Sequence, residues 1–436
     1  MKELISNLKG DKVIWTFVAL LALFSFMPVF SASSNLAYIG HGTGNTLGYL
    51  MKHAVHVIFG FAILYNVQKV PYHYLKKLSS IALPIVWLLL AYTLFFGVEQ
   101  GSASRWIQVP FIGVSFQTSA LATIVVMIYV ARYLSKTQTE PVTFKASFIE
   151  LWIPVGITLI LILPSNLSTT ALIFLMVLML TFVGNYPMKY IAIIVGAGIS
   201  LLVLFVVVAE VIEKTNPDHT PKIFQRVKTW ENRFTNHFKD NPEGSDDDYQ
   251  IDKAKKAIAT GGIYGLGPGK SVQKYFLPQS SSDFIYAIIV EEYGLIGGIG
   301  VLVMYLLLFF RFVVAAYKAN TLFGKLLVVG LGFPMIFQAM VNMAVAVQLF
   351  PVTGQTLPLI SSGGSSIWMT CIALGIIISV TKKDEEIIQE IKEEEQRKET
   401  LKRMIDEQIA KEEAMENENY SIVDTTNNPM NAVLKK

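Results

Sequence analysis

Ten long segments poor in charge set the limits on what this chain can fold into: 13–32, 48–68, 78–97, 114–134, 148–164, 167–184, 188–212, 284–310, 322–349 and 360–381. A helix needs ~20 mostly apolar residues to cross a bilayer. Each segment is therefore read as one crossing, and the fold class as an all-α polytopic membrane protein with ten transmembrane helices. Composition agrees. Of the 436 residues 53% are hydrophobic and 16% charged, against ~25% charged in soluble domains. The net charge of +3 gives no reason to expect a nucleic-acid partner. The single cysteine, Cys371, cannot form an intrachain disulfide.

The start of the chain, "MKELISNLKGDKVIWTFVALLALFSFMPVFSASS", has the basic, apolar and small-residue order of a secretory signal. Its apolar run is long enough to span, so it is read as an uncleaved first helix. Lysine and arginine set the orientation. With a cytoplasmic N-terminus, the inner segments hold Lys2, Lys9, Lys12, Lys69, Lys76, Lys77, Arg132, Lys136, Lys145, Lys189, Arg311, Lys318, Lys325, Lys382 and Lys383. The short outer loops hold Arg105 alone, with Lys52 at the outer end of the second helix. Ten crossings then return the C-terminus to the cytoplasm. "LPSNLSTTA" leaves almost no loop between the fifth and sixth segments, which form a tight outward hairpin.

The expected organisation is a cytoplasmic N-terminus (1–12), a membrane core (13–381), a large extracytoplasmic loop inside it (213–283), and a charged cytoplasmic tail (382–436). The long loop carries Lys222, Arg226, Lys228 and Arg233, the acidic turn "EGSDDD" and an amphipathic helix near 249–260; a loop of this length is usually functional. The tail is helix-prone, with two short apolar faces at Ile387, Ile388, Ile391 and at Leu401, Ile405, Ile409. It reads as a solvated helix or a partner-binding coil, followed by a disordered end over 416–436.

Three carboxylates stand out in "LPQSSSDFIYAIIVEEYGLIGG", 277–298. An ionisable group inside a membrane marks function by default, because insertion costs ~2.5–3.5 kcal/mol. On a continuous helix Asp283 and Glu291 share a face and look into one cavity, while Glu292 points elsewhere. At the interface Asp283 can stay ionised and act as a base; the plainer reading of "SSSD" is a helix N-cap. For Glu291 and Glu292 the plainer reading is a structural partnership with polar groups on neighbouring helices.

"GGIYGLGPGKSVQK", 261–274, invites comparison with a phosphate-binding loop, but Tyr264 stands where the first glycine of that motif belongs. Its glycines permit close backbone approach to a ligand, and Lys270 and Lys274 are placed near the lipid phosphates. In "VEQGSASRWIQV", 98–109, an arginine kept against the charge bias suggests an anionic partner, with Trp106 as an interfacial anchor. "LFPVTGQTLPLISSGGSS", 349–366, is irregular sequence at membrane depth, which survives only inside protein or beside a wet cavity. Gln338 and Asn342 can face that cavity. Gly294 and Gly298 form a GxxxG pattern that permits close helix contact.

In this order, these segments resemble the SEDS family of FtsW and RodA across roughly 13–381. The family's outer "RWI" is Arg105-Trp106-Ile107. Its long glycine-rich block ending in an aspartate and paired glutamates appears as "AIATGGIYGLGPGKSVQKYFLPQSSSDFIYAIIVEEYG", and its "PxTGxxLPxxSxGGSS" as "PVTGQTLPLISSGGSS". The "GPGKSVQK" spelling is closer to the FtsW branch. Departures are clear. Thr118, Ala120 and Thr123 replace Pro, Glu and Lys on the fourth helix; Asn166 and Ser168 replace Asp and Gly; Gln279 and Ser281 replace Glu and His. Asp283 matches.

The resemblance implies a peptidoglycan glycosyltransferase that polymerises lipid II on the outer face of the cytoplasmic (inner) membrane at the division septum, releasing undecaprenyl diphosphate. It implies a class B penicillin-binding protein as transpeptidase partner, other division membrane proteins, and the nascent glycan strand. Asp283 is the expected catalytic residue. Arg105, Trp106, Lys274, Lys270, Arg226, Arg233, Gln250, Ser361 and Ser362 are expected to contact substrate. Glu291, Glu292, Gln117, Ser119, Gln338, Asn342 and Thr353 are expected to support the site. A divalent cation, Mg or Mn, held through Asp283 with substrate phosphates is considered; no organic cofactor is expected. The competing readings are a lipid II flippase, the RodA-type elongation enzyme, and a catalytically silent scaffold.

Overall fold

The computed structural model describes residues 8–39, 46–100, 103–108, 115–137, 142–215, 246–382 and 396–412. Two compact units result, Met1–Thr381 and Lys382–Lys436. The first is a bundle of apolar helices: α1 (Lys12–Ile39), α2 (Thr46–Val67), α3 (Leu75–Phe96), α4 (Thr118–Lys136), α5 (Phe144–Ile162), α6 (Leu167–Val183), α7 (Met188–Thr215), then α8 (Asp246–Gly261), α9 (Ile285–Lys318), α10 (Leu322–Ala346) and α11 (Gly364–Val380). Apart from α8 these fall on the ten expected segments. Eight are long and apolar enough to cross a membrane; α6 and α11, of 17 residues each, are shorter. The second unit contains α12, 396–412, whose side chains are all exposed. The rest of the tail, with Ile387, Ile388, Ile391 and 416–436, lies outside the described residues.

Local chemistry explains the helix boundaries. Asp11 Oδ1 accepts the free amides of Val13 (2.9 Å) and Ile14 (3.4 Å) and so starts α1. Thr321 caps α10 through Gly324 N. Asn166 caps α6 by accepting from Thr169 N at 3.1 Å, so the residue that replaces the family's Asp still does a local job. In α5 one wide turn, Phe148–Trp152, precedes Pro154, which has no amide to give the preceding turn.

The all-helical expectation needs one correction. Residues 98–117 contain a three-stranded antiparallel sheet, β1 (Val98–Gln100), β2 (Ala103–Gln108) and β3 (Ser115–Gln117), with Trp106 opposite both Val98 and Gln117. The polar stretch between α3 and α4 satisfies its backbone with a small sheet, and β2 is where Arg105 sits. α8 confirms the amphipathic helix near 249–260: Ile251, Ala254 and Ala257 are buried, and it packs on α9.

α10 and α4 form the centre of the bundle, with 72% and 67% of their spanning windows buried against 11% for α7. Opposite ends of the bundle differ in chemistry. At the end carrying the Lys/Arg excess, Asp11 joins Arg311 Nε at 2.7 Å and its amide donates to Thr381 Oγ1 at 2.9 Å, clamping α1, α9 and α11. At the other end the irregular segments converge.

Candidate active site

Asp283 is not on a helix. It belongs to a turn at 278–284, the N-cap position of α9 is Phe284, and α9 starts at Ile285. The shared helix face expected for Asp283 and Glu291 therefore does not exist, and neither does the simple N-cap reading. The short polar run "QSSS" ahead of it competes for backbone bonds and favours a turn.

The turn is held from several sides. Ser361 Oγ donates to Ser282 O at 2.6 Å and accepts from Leu357 N at 2.7 Å. Ser362 N donates to Ser281 O at 2.8 Å. Asn342 Nδ2, from the central helix α10, donates to Asp283 O and to Gln355 O, both at 2.7 Å. One side-chain amide thus ties the aspartate to the strap 351–363. Gln338, one turn earlier, donates to Thr356 O at 2.9 Å. Gln355 reaches Thr169 Oγ1 at 3.0 Å.

Arg105 arrives from β2. Its Nε donates to Ser165 O at 2.8 Å in the α5–α6 turn. The Asp283 carboxylate and the Arg105 guanidinium meet at one glycine: a methyl group built on Gly354 would sit 3.6 Å from Asp283 Oδ2 and 4.0 Å from Arg105 Nη1. Gly354 also has φ 66°, which favours glycine. Beneath Arg105 lies a pocket lined by Thr93, Thr118, Ser119 and Ser165 with Leu90, Leu94 and Leu161; its ≈ 10 Å³ of free space holds about one water. Gln117 N donates to Ser365 Oγ at 3.3 Å, linking the sheet to α11. Thr353 and Trp106 are half-buried beside Gly354 and Arg105 in sequence.

The remaining candidates fall elsewhere. Glu291 and Glu292 are both buried and both turn to Ser271, not to Asp283. Glu291 accepts from Ser271 Oγ, from Val272 N at 3.0 Å and from Gln273 N at 3.2 Å. Glu292 accepts from Ser31 Oγ and from Ser271 N at 3.2 Å. Lys274, 5% exposed, donates to Ser31 Oγ (3.1 Å) and Gly269 O (2.8 Å). Ser31 Oγ, which accepts from Lys274, itself donates to Glu292, so this lysine is tied into the buried glutamate cluster. Lys270 is exposed. Gln250 is half-buried in the first turns of α8. Arg226 and Arg233 lie outside the described residues.

The glycine-rich loop packs against the middle of α9. α9 is broken at Gly294 (φ 68°, ψ −171°), and the loop enters the break. Leu266 N and Gly267 N donate to Glu291 O (3.0 Å) and Glu292 O (2.9 Å); Leu295 N and Ile296 N donate to Gly262 O (2.8 Å) and Ile263 O (3.3 Å). The loop supplies what a broken membrane helix lacks. A Cβ on Gly265 would lie 2.2 Å from Glu292 O, and one on Gly294 2.2 Å from Ile263 O. Close approach is to α9, and Gly294 is no part of a helix-contact GxxxG.

The departures from the family pattern keep structural roles. Thr118 Oγ1 pairs with Thr93 Oγ1 at 3.0 Å, Thr123 Oγ1 returns to Ser119 O at 2.9 Å, and Gln279 Oε1 accepts from Ser282 Oγ at 2.6 Å. Among the described residues no three His, Cys, Asp or Glu side chains gather to hold a metal. With an arginine converging on the same glycine as Asp283, the protein's own donor set does not build a divalent site there.

The family model described as cell cycle protein, covering FtsW, RodA and SpoVE, matches residues 11–386. The chain belongs to the FtsW/RodA/SpoVE family. A relative from Hydrogenovibrio crunogenus, named "probable peptidoglycan glycosyltransferase FtsW", is 30% identical over 84% of this chain and 90% of its own length. Proteins of the same name from Coxiella burnetii and Geobacter sulfurreducens are 28% and 30% identical over 85% and 86% of this chain, and 96% and 95% of theirs. Among solved structures, a chain of a peptidoglycan synthase complex that coordinates polymerization and crosslinking superposes with TM-score 0.62 at 23% identity, over 85% of this chain and 97% of that one. The Thermus thermophilus rod shape determining protein RodA gives 0.60 at 22%, over 85% and 96%. These two share the fold. Within the family, the segments that carry its motifs are those that meet around Asp283 and those that stitch the break in α9.

Sequence reading missed Gly354, Gln355, Ser165 and Ser31. Gly354 had a signal, the "PVTG" turn; the others act through backbone or hydroxyl contacts that no spacing rule announces.

Proposed function

We propose that this chain is a peptidoglycan glycosyltransferase of the FtsW type, which polymerises lipid II at the outer face of the cytoplasmic membrane. The observation that carries the proposal is the convergence of Asp283 and Arg105 on Gly354, with Asn342 bonded to both Asp283 and the strap. In this reading α1 to α7 and α9 to α11 are ten crossings with both termini cytoplasmic. The lysine-rich helix ends then lie inside, and the ends that gather Asp283, Arg105, Asn342 and Ser361 lie outside.

Asp283 accepts the proton of the C4 hydroxyl of an acceptor GlcNAc as that oxygen bonds to the anomeric carbon of the donor MurNAc. The bond from that carbon to the undecaprenyl diphosphate breaks, and the diphosphate leaves. A positioned general base contributes ~10²–10⁴-fold. Arg105 is placed to offset negative charge as it develops, and exposed Lys270 is a second cation available to the anion. Mg or Mn enters this scheme only with substrate phosphates as co-ligands. A class B penicillin-binding protein cross-links the product, and division at the septum is the setting favoured by the FtsW names of the relatives. Site polar groups cluster at helix ends, not at the bilayer midplane, which favours polymerase over flippase.

The test supplies fluorescent lipid II to the purified chain in detergent, alone and with its candidate transpeptidase and divalent ions. A ladder of glycan strands is expected. Absence of polymer in every combination, with lipid II translocation in proteoliposomes, would replace this reading with the flippase.

A further inference from the structure

Arg105 comes from β2 and Asp283 from the turn ahead of α9, so their spacing depends on what ties these two parts of the bundle together. Each has its own anchor. Arg105 Nε donates to Ser165 O at 2.8 Å. That carbonyl belongs to the α5–α6 turn, which is closed by Ser165 N and Asn166 N on Ile162 O, both at 3.0 Å, and by Thr169 N donating to Asn166 Oδ1 at 3.1 Å. Asp283 O accepts from Asn342 Nδ2, and the same amide donates to Gln355 O, both at 2.7 Å.

Gln355 joins the two anchors. Its carbonyl belongs to the Asn342 side, while its side chain crosses to α6, where Nε2 donates to Thr169 Oγ1 at 3.0 Å. Thr169 is 8% exposed and lies in the first turn of α6, just past the turn that holds Arg105. Contacts therefore run from Arg105 through the Ser165 turn, Thr169, Gln355 and Asn342 to Asp283. The ring closes at Gly354, the neighbour of Gln355, over which the two charged groups meet. The bond from Gln117 N to Ser365 Oγ is longer, 3.3 Å, and lands on α11 rather than on the strap.

We propose that Gln355 and Thr169 are positioning residues, whose hydrogen bond sets the spacing between Asp283 and Arg105. The inference rests on the glycosyltransferase reading and deepens it. In that reaction the base takes the proton of the attacking hydroxyl while the cation offsets charge on the departing diphosphate. The two groups act at one moment on opposite ends of the reacting centre, so their separation must match it. A misplacement of about 1 Å costs up to ~10²-fold in rate. Both residues act through others, so the loss falls on kcat and not on the binding of lipid II.

Polymerisation of labelled lipid II by the purified full chain tests this with Thr169→Val and Gln355→Leu, which delete the acceptor and the donor with little change of volume. Each is expected to lower kcat roughly 10- to 10²-fold, with half-saturation and melting temperature little changed. Both break one bond, so the double variant is expected to lose no more than either single one. Thr169→Ser keeps the oxygen and is expected to recover most of the rate. A second measurement needs no turnover. Gln108→Cys and Gln279→Cys place spin labels at exposed positions, on β2 with Arg105 and in the turn with Asp283; the native Cys371 is buried. The labelled parent is expected to give a narrow distance distribution, and its Thr169→Val variant a broader one. Wild-type kcat in both single variants, additive losses in the double variant, or an unaltered distance distribution overturns the proposal. Polymerisation that requires Asp283 but not Thr169 would leave the glycosyltransferase reading standing without it. A parent chain that makes no polymer, yet shows the broadening, would remove that reading and retain the restraint.

Discussion

Replacing Gly294 by alanine should damage the protein far more than the same change six residues later. At Gly294 the backbone lies in a region that is nearly glycine-only, where a side chain costs about 1–3 kcal/mol. The added methyl would also lie 2.2 Å from Ile263 O and 2.5 Å from Gly265 N. Backbone on both sides leaves no flexible atom to yield, so the loop must withdraw. Four hydrogen bonds across the break go with it, at about 0.5–1.5 kcal/mol each. The expected loss is at least ~3 kcal/mol, or roughly 6 °C in melting temperature at ~2 °C per kcal/mol. Gly300 is the control. It lies in regular helix with nothing within 4 Å of its added methyl, so alanine there should be neutral or stabilising by up to ~1 kcal/mol. Thermal unfolding in detergent and limited proteolysis of 262–276 read both variants. Equal melting temperatures for Gly294→Ala and Gly300→Ala would refute the stitched-break account.

Other consequences follow from single contacts. Asn342→Ala removes the amide that joins Asp283 to the strap; a misplaced catalytic group loses ~10²-fold, so kcat should fall by about that factor with half-saturation by lipid II little changed, and an unchanged kcat would contradict the role. Glu291→Gln replaces one oxygen that collects donors from 271–273 with an amide; about 1.5–3 kcal/mol of stability should be lost, seen as faster proteolysis of the loop. Asp11→Asn keeps an acceptor for the α1 cap but loses the ion pair with Arg311; ~1 kcal/mol of stability should go while polymerisation per folded molecule is unchanged.

Much of the fold was legible because the bilayer imposes a length rule on apolar sequence, and the ten apolar helices lie where hydropathy puts them. The sheet at 98–117 was not, since its strands are three to six residues long and carry no sustained alternation. The site was legible as a set of motifs and partly illegible as geometry. Asp283, Arg105, Gln338, Asn342 and Ser361 do come together. Glu291 does not join them, because helix periodicity was extended back to Asp283, which sits in a turn ahead of the helix that starts at Ile285. Gly261 and Gly265, in the loop that looked suited to a ligand, bring one backbone against another.

Asp283 is the point on which the account stands. Polymerisation of labelled lipid II by purified Asp283→Asn and Asp283→Glu chains, each matched to wild type in melting temperature, tests it directly. The account predicts a fall of ~10²–10⁴-fold for the asparagine variant and a smaller one for glutamate, which keeps a carboxylate at an altered reach. Glycan synthesis by Asp283→Asn at the wild-type rate would contradict it.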